Sequence, residues 1–184
     1  MKKILLLIVI TLCIFQLVVL ATVIEMGYEA IDRTGAATAA TTINANPANA
    51  SGKITNVEIW ANIELAGCEV AIFYRPDPGS FPLKFSTCDY ETVNNGNGAG
   101  VVLAGSKQTF VVDLNVLQGD YIGIYFSAGK IELNADGNRW YSPPTTDWIP
   151  CTNETFTFQN LRISLYGTGA TEEEGNAIMF GMNF

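Results

Sequence analysis

The side chains best suited to chemistry in this chain are aromatic and polar residues that alternate with aliphatic ones. In residues 54–65 this alternation sets Glu58, Trp60 and Asn62 opposite Val57 and Ile59, because successive side chains of a strand point to opposite faces. The same reasoning turns four residues of later segments outward: Phe73, Arg75, Tyr121 and Tyr125. Aromatic rings beside carboxylates, amides and a guanidinium suit a sugar, whose C–H face packs on a ring while its hydroxyls form hydrogen bonds. We therefore predict that these seven residues share one ligand-binding face; the alternative is that a second layer covers the rings.

A second aromatic cluster lies in residues 138–150. It contains Trp140, Tyr141 and Trp148 together with several prolines. Because proline cannot donate to a sheet ladder, this segment is predicted to be a loop rather than a central strand. Its three rings then form either a binding rim or plugs that fold back over the core.

Catalytic and metal-binding patterns are weak. The chain has no histidine, which excludes Ser-His-Asp and Cys-His catalysis and histidine-ligated zinc. Glu58 and Glu69 could share a face, whereas Glu58 and Glu64 lie roughly 20 Å apart along a strand, too far for a glycosidase pair. Residues 132–137 resemble half of a calcium loop, but Pro143 stands where the bidentate ligand is needed. We predict no enzyme activity, no cofactor and no metal site.

The charge balance bears on the partners. The chain carries 18 acidic and 10 basic residues, a net charge of −8. A surface that binds a phosphate backbone needs an excess of lysine and arginine. Nucleic acid is therefore not expected as a partner.

The N-terminus indicates export. Lys2 and Lys3 precede an apolar run that has no charge before Glu25, which is typical of a signal peptide. Cleavage after Ala21 fits the small-residue rule, with Val19 two positions before it. The run is also close to the roughly 20 residues that span a bilayer, so residues 1–24 form either a signal peptide or an uncleaved anchor helix. The predicted location is extracellular or at the cell surface, with membrane contact only through residues 4–24 if they are retained.

Three cysteines lie beyond this signal, and export permits disulfides. Cys68 and Cys88 flank two predicted neighbouring strands, and a bridge closing this loop of about 20 residues would contribute roughly 3 kcal/mol. We predict a Cys68–Cys88 disulfide with Cys151 free or intermolecular. A Cys68–Cys151 bridge is the alternative.

The remaining chain reads as short period-2 segments separated by Gly, Asn, Asp and Pro, which is typical of a sandwich or barrel. The predicted fold is an all-β antiparallel sandwich, jelly-roll-like, over residues 51–184, preceded by one hydrophobic N-terminal helix. Residues 25–50 are predicted to be a linker and edge segment because residues 34–50 lack periodicity. The candidate strands are residues 28–33, 54–65, 68–75, 83–88, 109–114, 121–126, 130–133, 156–166 and 177–184.

Four segments carry a resemblance to known proteins: residues 46–60, 105–110, 119–125 and 163–169. They resemble modules of uncharacterised phage-associated and environmental bacterial surface proteins. More broadly the chain is similar to the jelly-roll sandwiches of concanavalin-like lectins and carbohydrate-binding modules, which implies glycan or surface attachment rather than catalysis. The related glucanases carry three acids at alternate positions of one strand, and residues 57–64 do not match that pattern.

These observations lead to one expected function and two alternatives. The expected function is that of an exported, non-enzymatic sandwich that binds glycans or attaches to a surface. The first alternative is a self-associating structural subunit of an extracellular filament or virion. The second is a small outer-membrane β-barrel, suggested by the alternating apolar residues of 177–184.

Overall fold

The computed structural model of the protein describes residues 21–79 and 81–171. The predicted signal or anchor helix in residues 1–24 lies almost entirely outside the described residues, and the predicted strand 177–184 lies wholly outside them. Within the described ranges, no helix is long and apolar enough to cross a membrane.

In the described residues, strands numbered along the chain form two seven-stranded antiparallel sheets. The first sheet contains β1 (Val23–Tyr28), β2 (Gly35–Thr38), β4 (Gly52–Ala66), β7 (Lys107–Val116), β9 (Ala128–Asn134), β13 (Arg162–Ile163) and β14 (Leu165–Ala170). The second contains β3 (Thr42–Asn44), β5 (Glu69–Tyr74), β6 (Lys84–Thr92), β8 (Tyr121–Tyr125), β10 (Arg139–Tyr141), β11 (Glu154–Thr155) and β12 (Thr157–Gln159). The prediction of an all-β antiparallel fold is confirmed.

Strand pairing defines the order of each sheet. In the first sheet the order is β1-β14-β4-β9-β13, with β7 on the other side of β4 and β2 paired with β9. In the second sheet the order is β11-β6-β5-β8-β3-β10-β12. The strand β4 is long enough to pair with β14 and β7 along its first half and with β9 along its second.

The main core lies between the facing sides of the two sheets. On β4, Val57 and Ile59 are fully buried, and on β5 and β8 the paired residues Ile72 and Ile122 are fully buried as well. These side chains belong to one continuous apolar cluster. The alternation that predicted the aliphatic sides of these three strands is therefore confirmed at these residues, because only that side of each strand can be withdrawn from water by the opposite sheet. Ile63 of β4, which the same alternation turns inward, is instead 49% exposed, because the pairing of β4 with β9 shifts register on both sides of it.

A second core lies on the outer side of the second sheet. On β5 all residues from Val70 to Phe73 are buried, so both faces of this strand are covered. Residues 142–156, here called the covering segment, cross this outer face. They are held by hydrogen bonds from Thr41 N to Thr146 O (3.3 Å) and from Thr87 N to Cys151 O (2.9 Å). The buried members of this second core are Ile43, Ala71, Phe73, Phe85, Trp140, Ile149 and Phe156.

Residues 25–50, predicted to be a linker and edge segment, contribute to three strands, of which β1 and β2 each have one pairing partner and lie at edges of the first sheet, whereas β3 does not. Strand β3 lies inside the second sheet between β8 and β10, and its Ile43 is fully buried. The Asn44 amide is buried too, and its Nδ2 donates to the carbonyl of Leu165 across the sandwich at 2.9 Å. Strands β2 and β3 have three or four residues each, too short for a periodic pattern to be visible. Pairing with neighbouring strands, rather than a hydrophobic repeat of their own, holds them in place.

Three other predicted elements are also corrected. Residues 138–150 are not entirely loop, because Arg139–Tyr141 forms β10 between β3 and β12, ahead of the prolines. The single strand predicted over 156–166 is divided into β12, β13 and the start of β14, which lie in different sheets. The first strand is Val23–Tyr28 rather than residues 28–33.

Candidate functional site

The predicted binding face does not exist as one surface. Trp60 lies on the outer side of the first sheet, since its neighbours Ile59 and Ala61 point into the main core. Tyr121 lies on the outer side of the second sheet, since Ile122 points into the same core from the opposite direction. Strand alternation separates the two sides of each strand, but the pairing partners decide to which sheet a strand belongs. The main core therefore separates Trp60 from the other predicted aromatic residues.

On the first sheet, the polar residues of the predicted face are engaged with their neighbours. Glu58 forms an ion pair with Lys107 at 3.0 Å, and Asn62 Nδ2 donates to Glu132 Oε1 at 2.7 Å. Trp60 is partly buried between them. This part of the predicted face is a solvated sheet surface with one tryptophan.

On the second sheet, the covering segment closes over most of the predicted aromatic residues. Phe73 is fully buried, with its ring 6.0 Å from that of Phe156 in an edge-on contact. Tyr125 is partly buried, and burial raises the pKa of its phenol, as do the carboxylates of Asp147 and Glu69. Phe73 therefore cannot serve in a binding face, and the layered alternative is the correct one for it.

The tryptophan rings of the aromatic cluster in residues 138–150 pack into the second core. Trp140 is 7% exposed and Trp148 is partly buried, with its ring 4.8 Å from that of Phe156. Tyr141 is partly buried beneath the guanidinium of Arg139, which lies 5.1 Å from the ring centre. Of the two alternatives for this cluster, the structure favours rings folded back over the sheet.

The predicted Cys68–Cys88 disulfide is absent. Among the described residues, the thiols of Cys68, Cys88 and Cys151 are all free. Cys68 lies opposite Val93, whose backbone N donates to the Cys68 carbonyl at 3.2 Å. Cys88 lies at the β-bulge beside Ile72. Four residues of strand separate the two positions by roughly 13 Å, whereas a disulfide requires Cα atoms within about 7 Å of each other.

A cleft of about 550 Å³ opens at one end of the second sheet. The end of β5, the bulge in β6 and the turn between β7 and β8 form its walls. Its lining residues are Tyr74, Arg75, Pro78, Cys88, Leu117, Gln118, Gly119, Asp120 and Tyr121. Of the predicted binding residues, Arg75 and Tyr121 meet here. This cleft is the candidate functional site.

Arg75 projects from the turn that follows β5. Its Nη2 donates to the carbonyl of Pro78 at 2.7 Å, and the turn itself is closed by the backbone N of Gly79 donating to Asp77 Oδ1 at 3.2 Å. The Nε of Arg75 is buried and has no hydrogen-bond partner among the described residues. The guanidinium is therefore fixed on one side and retains an unsatisfied donor.

The opposite wall is the turn at residues 117–120. Asp120 Oδ2 accepts the backbone N–H of Leu117 at 2.9 Å, and Gly119 has a φ of +94°, a conformation that favours glycine. The turn is tied to the first half of the chain by bonds from Gly119 N to Ala48 O (3.0 Å) and from Gln118 N to Ser51 Oγ (2.8 Å). These bonds hold the wall in place before any ligand arrives.

The ring of Tyr121 belongs to the second core, on the outer side of the second sheet. Its centroid lies 5.8 Å from Phe85 and 5.2 Å from Trp140, both in edge-on geometry. Tyr74 has the opposite, inward parity and is 41% exposed. Of the two tyrosines that line the cleft, Tyr74 therefore has the accessible ring.

The Asp120 carboxyl should make the stability of the fold depend on pH. Burial raises the pKa of its carboxyl, and the hydrogen bond from Leu117 opposes that shift. An acid whose pKa is higher in the folded than in the unfolded state stabilises the fold below its unfolded pKa, and this contribution is lost as pH rises through the folded pKa. Asp120→Asn, which keeps an acceptor for Leu117, should therefore lose less stability than the wild type as pH rises from about 4.

Thermal midpoints of both proteins between about pH 3.5 and pH 7 measure this difference. Asp32→Asn, at an exposed position, is the matched control and should follow the wild-type profile. Identical profiles for the wild type and Asp120→Asn would contradict the expectation.

Sequence reasoning overlooks Tyr74 and Asp120. Tyr74 shares the inward parity of Ile72, and Asp120 stands just before a strand, so alternation assigns neither to an outer face. The carboxylates of Glu58 and Glu69 lie on the outer sides of different sheets and do not face one substrate. Within residues 21–79 and 81–171, no group of three or more Cys, Asp or Glu side chains is arranged to hold a metal ion.

No protein-family model matches the chain, and no curated protein matches it either. The functional assignment therefore depends on the geometry of the cleft and on the chemistry of its lining residues.

Proposed function

We propose that the protein is an exported, non-enzymatic binding module that attaches to a glycan through the cleft at the end of the second sheet. The observation that carries this proposal is that one cleft brings together Tyr74, whose side chain is 41% exposed, with Arg75 and Asp120. Sugars are bound by such combinations, because a ring covers their C–H face while polar groups receive and donate the hydroxyl hydrogen bonds.

The size and rigidity of the cleft support this function. Its volume of about 550 Å³ falls in the range of roughly 300 to 1,000 Å³ that is common for small-ligand sites. Tyr121 is locked against the second core, and the turn carrying Asp120 is anchored to Ala48 and Ser51. Groups that are already ordered lose little conformational entropy on binding, which favours affinity.

The outer side of the first sheet is a weaker candidate. Its tryptophan, Trp60, has no second large ring beside it in the predicted set, since Phe73, Tyr121 and Tyr125 lie on the other sheet. The carboxylate of Glu58 is already paired with Lys107. Tyr166 shares this side, since it pairs with Glu58, but its hydroxyl is hydrogen-bonded to Glu25. A sugar here would find few polar groups that are not already paired.

Tyr74→Ala is expected to weaken glycan binding by about 1 to 3 kcal/mol, the scale for losing an aromatic contact at an interface. Stability should change little, because Tyr74 is 41% exposed. A glycan array identifies the ligand, and titration calorimetry of the wild type and the variant then measures the loss.

Tyr90→Ala is the matched control, since Tyr90 is a similarly exposed tyrosine, 45%, on β6 and does not line the cleft. It should bind as the wild type does. Unchanged affinity for Tyr74→Ala together with a loss for Trp60→Ala would reject the cleft and return the site to the first sheet.

A further inference from the structure

The charged groups of the cleft restrict the chemistry of its ligand. Arg75 is the one cationic side chain among the residues that line it, and Asp120 is the one anionic side chain. The Asp120 carboxylate already accepts the Leu117 N–H, and the described residues give it no ion pair with Arg75. The guanidinium is therefore not neutralised by the carboxylate across the cleft.

The Nε of Arg75 is shielded from solvent, so a ligand in the cleft can only contact the outer end of the guanidinium, which carries the Nη groups. A carboxylate is the acceptor that suits a guanidinium best, because charge-assisted bonds are shorter and stronger than neutral ones. The bond from Nη2 to Pro78 already fixes the orientation of the group.

The rest of the cleft limits how much negative charge it can accept. Asp120 on the opposite wall would repel a doubly charged group such as a phosphate monoester, and the net charge of −8 opposes a densely charged polyanion. The exposed ring of Tyr74 favours a ligand with an apolar sugar face. A single carboxylate on an otherwise neutral saccharide meets both requirements.

We infer that the cleft binds a saccharide bearing one carboxylate, which pairs with Arg75 while the sugar ring packs on Tyr74. This inference rests on the proposed function and specifies its ligand class. The carboxylate can come from a uronic acid or from a sialic acid, which present the same group on different ring carbons. The test includes both sources.

The experiment measures dissociation constants by NMR titration of the full chain. The probes are glucuronic acid, galacturonic acid and N-acetylneuraminic acid, each compared with its own methyl ester, and glucose and galactose as neutral sugars. At least one acid should bind about tenfold or more tightly than its ester, the effect of one charge-assisted hydrogen bond. Which acid does so identifies the source of the carboxylate.

The variants locate the effect. Arg75→Gln should remove the preference for acid over ester, and Arg75→Lys, which keeps the charge, should retain part of it. Lys130→Gln removes one positive charge from β9, outside the cleft, and should leave the preference unchanged. Thermal melts establish that the three variants are folded.

Each outcome bears on the inference separately from the proposed function. If every ester binds as tightly as its acid, the carboxylate assignment is overturned while glycan binding stands. If Arg75→Gln keeps the full preference, Arg75 is not the partner and the inference is also overturned. If no acid, ester or neutral sugar binds and the glycan array is blank, the proposed function fails with it.

Discussion

Replacing Phe85 with alanine is expected to lower the free energy of unfolding by about 3 to 5 kcal/mol, the range for emptying a buried aromatic site. Phe85 is fully buried at the centre of the second core. Its ring centroid lies 4.9 Å from Trp140, 5.5 Å from Phe156 and 5.8 Å from Tyr121. Three rings from three different strands or segments therefore lose a packing partner at once.

Denaturant unfolding measures this loss, and the matched control is Val111→Ala. Val111 is 80% exposed on β7, so its truncation should change stability by less than about 0.5 kcal/mol. A loss below about 1 kcal/mol for Phe85→Ala would mean that the covering segment does not pack on the second sheet as described. Because Phe85 supports Tyr121, the variant should also bind the cleft ligand more weakly.

Replacing Glu132 with alanine is expected to lower stability by about 3 kcal/mol. Glu132 is 2% exposed, and both its carboxylate oxygens are used. Oε2 accepts the backbone N–H of Arg33 at 3.1 Å, and Oε1 accepts Asn62 Nδ2 at 2.7 Å. Alanine would leave two donors without an acceptor and would remove a carboxylate that stabilises the buried Arg33 guanidinium.

The contacts of Arg33 explain why this loss should extend beyond Glu132 itself. The Arg33 Nε donates to Ser164 Oγ at 2.7 Å and its Nη2 to the Glu29 carbonyl at 2.6 Å. Burial lowers the pKa of Arg33, and Glu132 is one of the carboxylates that oppose this shift. The network thereby fastens the segment between β1 and β2 to β9 and to the start of β14.

Two variants separate the network from a general effect of mutation. Glu132→Gln keeps one acceptor oxygen and should lose roughly half as much stability as Glu132→Ala. Glu64→Ala, at an exposed position of β4, should be close to the wild type in denaturant unfolding. Equal stability of Glu132→Ala and Glu64→Ala would show that the buried network is dispensable.

The sequence by itself determined the class of fold and the inner sides of the long strands. Val57 and Ile59 alternate with Glu58 and Trp60 over enough residues for the period of two to be unmistakable. Such a strand can bury only its aliphatic side without burying unpaired polar groups. The strands β4, β5, β7 and β8 were accordingly predicted close to their observed positions.

Only the tertiary structure decided which sheet each strand joined and what covered it. Trp60 and Phe73 are both outward by alternation, yet pairing places them on opposite sides of the molecule. Strand β3 has three residues and is held by two neighbours, so its position depends on contacts 80 or more residues away in the sequence. Local periodicity reports the environment of one strand and contains no information about its partners.

The cleft also results from strand pairing rather than from local sequence. Arg75 and Asp120 are separated by more than forty residues, and they meet only because β5 pairs directly with β8. Tyr74 escapes burial because the strand ends there, beyond the reach of the opposite sheet. The sequence determined that aromatic and charged side chains would leave the core; strand pairing across the second sheet decided which of them could contact one ligand.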